Sequence, residues 1–185
     1  MEDVISMRKI SAAAFALGMM GCPPSVRAQG VYGNDVAVSF TPAVQNLAYS
    51  TGNALGPLQT IMFFRSPAFS GIMDQFGIGS KGGSTVAITV YVFDTLPVNS
   101  TCTDKVAFSL ANADIAKLAM APFVLTPSVV GSGSTQTFAQ LTQTTSVRNQ
   151  DAPRTANLYV CLVTNGTVTP ASTSDLIGKI SGLND

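Results

Sequence analysis

Residues 85–93 read Thr-Val-Ala-Ile-Thr-Val-Tyr-Val-Phe, a run whose β-branched and aromatic side chains occupy both alternating sets of positions. Val86, Ile88, Val90 and Val92 fall on one side of an extended chain, and Ala87, Tyr91 and Phe93 on the other. A strand that is apolar on both faces must be covered twice, so it belongs inside a sandwich or under a neighbouring subunit. The rest of the chain is read around that strand.

Val36, Val38 and Phe40 alternate with smaller residues, the period of a half-buried strand. Residues 58–64 form an apolar run suited to a central strand. Ile72, Asp74, Phe76 and Ile78 are expected on one face, with Met73, Gln75 and Gly77 on the other. Residues 80–84 make a Gly/Ser turn cluster. Weaker strands are expected over 123–125, 135–141 and 144–147, around the flexible residues 131–134. Residues 157–164 predict a strand that ends in Asn165-Gly166, the preferred pair for a tight hairpin, with 167–169 as its return arm. Residues 176–180 predict a closing strand. One short helix is expected over 112–119, capped by Asn112, with Asp114 in its first turn and Ile115, Leu118 and Ala119 sharing a face.

Fifteen Ser and nineteen Thr after residue 28 supply polar surface without charge, and Thr suits a pleated sheet better than a helix. Short strands, frequent turns and little helix predict an all-β fold: an antiparallel, jelly-roll-like β-sandwich with one short helix. Few lysines guard its edges, which predicts self-association or contact with other structural subunits.

Charge and residue choice exclude several functions. Ten Lys+Arg balance ten Asp+Glu, so the basic excess of a nucleic-acid binder is missing. The chain has no His, which removes imidazole metal ligands and relays through histidine. Hydrophobic residues make up 46% and charged residues 11%, the reverse of a disordered chain.

The first 28 residues predict a secretory signal peptide. Arg8 and Lys9 form a positive start, residues 10–21 an apolar run too short to span a bilayer, and Val26-Arg27-Ala28 a small-residue cleavage site. A buried N-terminal helix is the alternative, but Pro23-Pro24 would stop it. Gly21-Cys22 raises a second alternative, lipidation at Cys22. Residues 29–185 then form one exported domain without a transmembrane segment, large enough to fold without a metal. Its two cysteines, Cys102 and Cys161, predict a disulfide in an oxidising compartment, with two buried thiols as the alternative.

Catalytic patterns do not assemble. Gly77-Ile78-Gly79-Ser80-Lys81-Gly82 fits a dinucleotide fingerprint, but a strand rather than a helix follows it, so these are turn glycines. Neither a Gly-x-Ser-x-Gly elbow nor a Ser-x-x-Lys pair occurs after residue 28. Asp94 and Asp104 flank a loop and could in principle act as an acid–base pair, although turn caps are the commoner role. Calcium at those carboxylates lacks any EF-hand-like spacing, so no metal or cofactor is expected. Tyr91, Phe93 and Tyr159 lie on predicted strands, where core or interface packing competes with a sugar-stacking platform. The candidate binding or interface residues are therefore Tyr91, Phe93, Asp94, Asp104 and Tyr159. No residue is assigned a catalytic role.

Ser80-Lys81-Gly82-Gly83-Ser84 followed by Val90-Tyr91-Val92-Phe93-Asp94-Thr95-Leu96-Pro97 resembles a family of uncharacterised proteins from tailed bacteriophages and prophages. The similarity runs on through Thr101-Cys102-Thr103-Asp104-Lys105, Ala113-Asp114-Ile115-Ala116-Lys117 and Asn157-Leu158-Tyr159-Val160-Cys161, with Thr41-Pro42-Ala43, Ala48-Tyr49 and Gly52-Asn53 as its opening block. The resemblance covers roughly residues 35–185 and implies a small virion component, a head-decoration or fibre-associated protein without enzymatic activity. A leader departs from that pattern, because phage heads assemble in the cytosol. It implies either a captured gene now serving outside the cell or a start codon assigned too far upstream. The second expectation is a secreted or periplasmic carbohydrate- or ligand-binding module, and the third an exported hydrolase.

Overall fold

The computed structural model describes residues 34–129 and 137–185. The expected leader, Cys22 and the Gly/Ser segment 131–134 lie outside the described residues.

Among the described residues, nine strands and one helical turn follow in the order β1 (Asn34–Phe40), β2 (Gln59–Met62), β3 (Ser70–Ser80), β4 (Ile88–Phe93), α1 (Asn112–Ile115), β5 (Phe123–Leu125), β6 (Ser128–Val129), β7 (Thr137–Arg148), β8 (Asn157–Thr164) and β9 (Leu176–Asn184). They form a five-stranded sheet, β1-β9-β3-β7-β6, and a four-stranded sheet, β2-β8-β4-β5. Every pairing between strands is antiparallel. With the short β6 set aside, the two sheets hold strands 1-9-3-7 and 2-8-4-5, so that the chain crosses repeatedly from one to the other. This is the connectivity of a jelly roll, two interlocked Greek keys closed face to face.

β8 shows how sequence alternation becomes packing. Leu158, Val160 and Leu162 join the main core between the sheets, together with Ile88, Val90 and Val92 of β4 and Phe76, Ile78 and Ile180 of the opposing sheet. The other set on β8, Tyr159, Cys161 and Val163, packs with Phe93, Ala54 and Leu118 in a second cluster on the outside of the four-stranded sheet. The chain covers this outer face itself. Ala54 N–H donates to Val106 O, Lys105 N–H to Ala54 O and Ala119 N–H to Val92 O, drawing segments 49–58 and 94–119 across β4 and β8. The doubly apolar strand is thus buried on both sides within one chain, without a neighbouring subunit.

Five local readings change. The apolar run 58–64 supplies β2, which is an end strand rather than a central one, because only β8 pairs with it. In β3 the register shifts between Met73 and Gln75, a bulge that reverses the alternation. Met73 therefore enters the core with Phe76 and Ile78, while Ile72 and Asp74 do not.

Asn165-Gly166 does not make a hairpin. β8 already has β2 on one side and β4 on the other, so no edge is vacant for a return arm, and Val168 bridges to Tyr49 instead. The helix is a single turn capped by Ala111 without a side-chain bond, and Asp114 points inward rather than to solvent. An inward carboxylate that collects loop N–H groups holds this turn, so the chain gains nothing from continuing the helix. From residue 137 on, the expected strands 135–141 and 144–147 are one continuous strand, β7.

Cys102 and Cys161 are joined in a disulfide across 59 positions. The bridge lies within the outer cluster, tying the 94–119 excursion to the middle of β8.

Candidate functional site

The candidate residues named from the sequence separate into three environments. Phe93 is fully buried and Tyr159 nearly so, both in the outer cluster, and neither ring offers a face to a ligand. Tyr91 is half-buried and stacks at a tilt on Phe108, with ring centroids 4.3 Å apart. These rings do not form a common platform.

Asp104 works as a brace. Its Oδ1 accepts the Tyr49 hydroxyl at 2.7 Å and the Gly56 N–H at 2.8 Å, fastening the loop after the disulfide to segment 49–56. Asp94 shares no hydrogen-bond partner with it; the two carboxylates belong to separate networks.

Asp94 stands directly after β4 in a different network, whose centre is the fully buried Asn149. The Asn149 amide nitrogen donates to Asp94 O at 3.1 Å, Asp151 Oδ2 at 3.1 Å and Asn157 O at 2.9 Å. Its Oδ1 accepts the N–H groups of Asp151 at 3.1 Å and Thr155 at 2.8 Å. One side chain therefore fixes the exits of β4 and β7 and the entry to β8. With the amide's hydrogens and oxygen all used, it stays buried at little desolvation cost.

The same network drives two carboxylates in opposite directions. Burial pushes the Asp94 carboxyl above its ordinary value, and the nearby Asp151 charge adds to that; bonds from Thr95 at 3.1 Å and Gln150 at 3.0 Å only partly offset it. Burial also acts upward on Asp151, but four donors outweigh it and hold that carboxyl below the usual range. They are Leu96 N–H at 2.9 Å, the Asn149 amide, the Tyr159 hydroxyl at 2.7 Å and the Thr155 hydroxyl at 3.0 Å. Tyr159 is pushed up in turn, by burial and by its bond to Asp151.

Beside this network lies a cleft of about 560 Å³. Ser70, Gly71 and Ile72 at the start of β3 form one wall, and Ser146, Val147 and Arg148 at the end of β7 another. Asp94, Gln150, Leu118, Ala119 and Asp185 complete it. Of the residues singled out in the sequence, only Asp94 reaches the cleft. Arg148, Gln150 and Asp185 were not foreseen: they are far from Asp94 in the chain, and only the pairing of β3 with β7 and β9 brings their ends together. The polar run Asn149-Gln150-Asp151 was visible as a loop, but nothing in its order signalled a buried hub.

Among the described residues no group of three or more Cys, Asp, Glu or His side chains could hold a metal ion, and no helix is long and apolar enough to cross a membrane. Comparison with family models, with curated proteins and with solved structures finds no match.

Proposed function

We propose that this protein is a non-enzymatic structural component that works by self-association through the edges of its β-sandwich, in the manner of a virion surface protein of phage type. The observation that carries the reading is the state of the end strands. β2 (Gln-Thr-Ile-Met) and β5 (Phe-Val-Leu) end the four-stranded sheet and contain no charged residue, as does the short β6 at one end of the other sheet. Met62 on β2 is 72% exposed and Val124 on β5 is 54% exposed. A protein selected to stay monomeric blunts such edges with lysine, proline or inward charge, because an open strand edge recruits another chain.

Coat subunits and lectins both use jelly-roll connectivity, so connectivity alone does not choose between them; uncharged apolar edges favour the assembly role. The resemblance of the 80–97 and 157–161 segments to phage and prophage proteins points the same way. Secretion through the expected leader would place the assembly outside the cell, and a start codon downstream of residue 28 would return it to the virion.

Sedimentation velocity at micromolar concentration tests the reading. The wild-type chain is expected to sediment as an oligomer, and Met62→Lys combined with Val124→Lys to sediment as a folded monomer. A monomeric wild type would overturn the proposal. Portal, capsid and tail genes beside its own gene are the expected genomic context for the virion form.

A further inference from the structure

We propose that the cleft between the β3 start, the β7 end and the loop after β4 binds a neutral polyhydroxylated ligand, a sugar residue or the end of a glycan chain. The inference is independent of the assembly role, since it uses neither β2 nor β5.

Three features of the cleft select that chemistry. The first is size: about 560 Å³ lies in the range of sites that take small ligands. The second is its hydrogen-bonding inventory. Among the described residues the Arg148 guanidinium has neither a hydrogen bond nor an ion pair, so five N–H donors are free. The Asp94 carboxylate uses one lone pair on each oxygen for Thr95 and Gln150 and keeps the others. The Gln150 amide lies beside both. A hydroxyl group donates and accepts at once, and a vicinal pair can give a proton to Asp94 while taking one from Arg148.

The third feature is charge. Asp94, Asp185 and Arg148 all line the cleft, so a phosphate would meet two carboxylates and a simple cation would meet a guanidinium. A neutral ligand escapes both penalties. Leu118 and Ala119 supply an apolar patch for the C–H face of a sugar ring. The Asp94 wall is also fixed before any ligand arrives. Asp94 N–H donates to Lys117 O, and Asp94 O accepts both the Gln150 N–H and the Asn149 amide. The ordering cost of binding then falls mainly on the exposed Arg148 side chain.

An array of neutral glycans probed with the full chain, followed by titration with the free monosaccharide of the strongest spot, tests this. Saturable binding is expected, weakened about tenfold or more in Arg148→Ala and again in Gln150→Ala, which corresponds to about 1.4 kcal/mol per tenfold step. Both side chains are exposed, so the variants should fold like the wild type by circular dichroism. Lys81→Ala, at an exposed residue just past the end of β3 opposite the cleft, should bind as the wild type does. No saturable binding at millimolar sugar, binding indifferent to both cleft variants, or a preference for anionic ligands or free amino acids would each overturn the proposal.

Discussion

The hydroxyl of Tyr49 donates a 2.7 Å hydrogen bond to Oδ1 of Asp104, joining two loops 55 positions apart. Tyr49 is wholly buried, and its oxygen also accepts the Gln45 N–H. Burial, reinforced by the bond to Asp104, pushes the phenol up to about 12. In the unfolded chain it returns to its ordinary value of 10.0. Between those values the native state holds a proton that the unfolded state has lost, so stability is full below pH 10 and falls as pH rises toward 12. Ultraviolet titration should find Tyr49 among the late-ionising tyrosines, alongside Tyr159, and Tyr49→Phe should remove its share of the late signal. The same change should cost about 1–2 kcal/mol in urea unfolding, because a buried bond is lost.

Acid sensitivity should centre on Asp114. Its Oδ2 accepts N–H bonds from Asn99 at 2.8 Å and Ser100 at 2.7 Å and the Ser100 hydroxyl at 2.8 Å, while Lys117 Nζ lies 2.8 Å from Oδ1. Burial works against the charge, but Lys117, Ser100 and the two N–H groups prevail and hold the carboxyl far below its ordinary range. A carboxyl lowered on folding stabilises the native state above its unfolded value of 3.8 and loses that contribution as pH falls below it. Asp114→Ala should destabilise by about 3 kcal/mol at neutral pH, since it leaves the Asn99 and Ser100 N–H groups and the Ser100 hydroxyl without their acceptor and removes the ion pair to Lys117. It should also flatten the acid limb of a stability–pH curve; an unchanged limb would remove Asp114 from this role.

Loss of the disulfide should be felt globally. A cross-link of this span is worth about 4 kcal/mol in the chain-entropy model. Cys102→Ala combined with Cys161→Ala should therefore lower the melting temperature markedly, and reductant should do the same to the wild type. Thiol titration of the denatured, unreduced protein should find neither of these two cysteines reactive.

Two glycines on β9 should differ in their tolerance of alanine. A Cβ on Gly182 would come within 1.9 Å of Ile72 O, a backbone atom beside the β3 bulge, and neither strand can retreat without breaking the ladder. A Cβ on Gly178 would strike the Phe40 ring at 2.1 Å, but that ring belongs to a half-buried side chain on an end strand and can swing aside. Gly182→Ala should abolish folding or cost several-fold more than Gly178→Ala, measured by chemical denaturation. Comparable costs would mean that the bulge yields.

Where one physical signal dominated, the sequence was readable. The bounds of β8, the half-buried alternation of β1 and the Cys102–Cys161 pair all followed from residue type and period alone, as did the sandwich class. Misreadings arose where a distant partner decided. Asn165-Gly166 had hairpin chemistry, but the neighbours of β8 were already in place. The bulge at Asp74 reassigned Met73 to the core because β7 and β9 both accommodate it. Asn112 looked like a cap, whereas Asp114, reaching back to Asn99 and Ser100, set the turn. The cleft was the least legible part. Its walls come from five chain segments, and no local pattern encodes their meeting.

The outer cluster leaves this polypeptide with two separately packed hydrophobic compartments that share two strands, β4 and β8. Segment 94–119 is moored to β8 by its own apolar contacts and by a covalent tie, while the main core lies on the opposite side of the sheet. Substitutions at its outward-facing Val98 and Ile115 touch neither compartment. Those outward-facing positions are free to diversify on an unchanging frame, and they are the natural place to graft a foreign epitope for display.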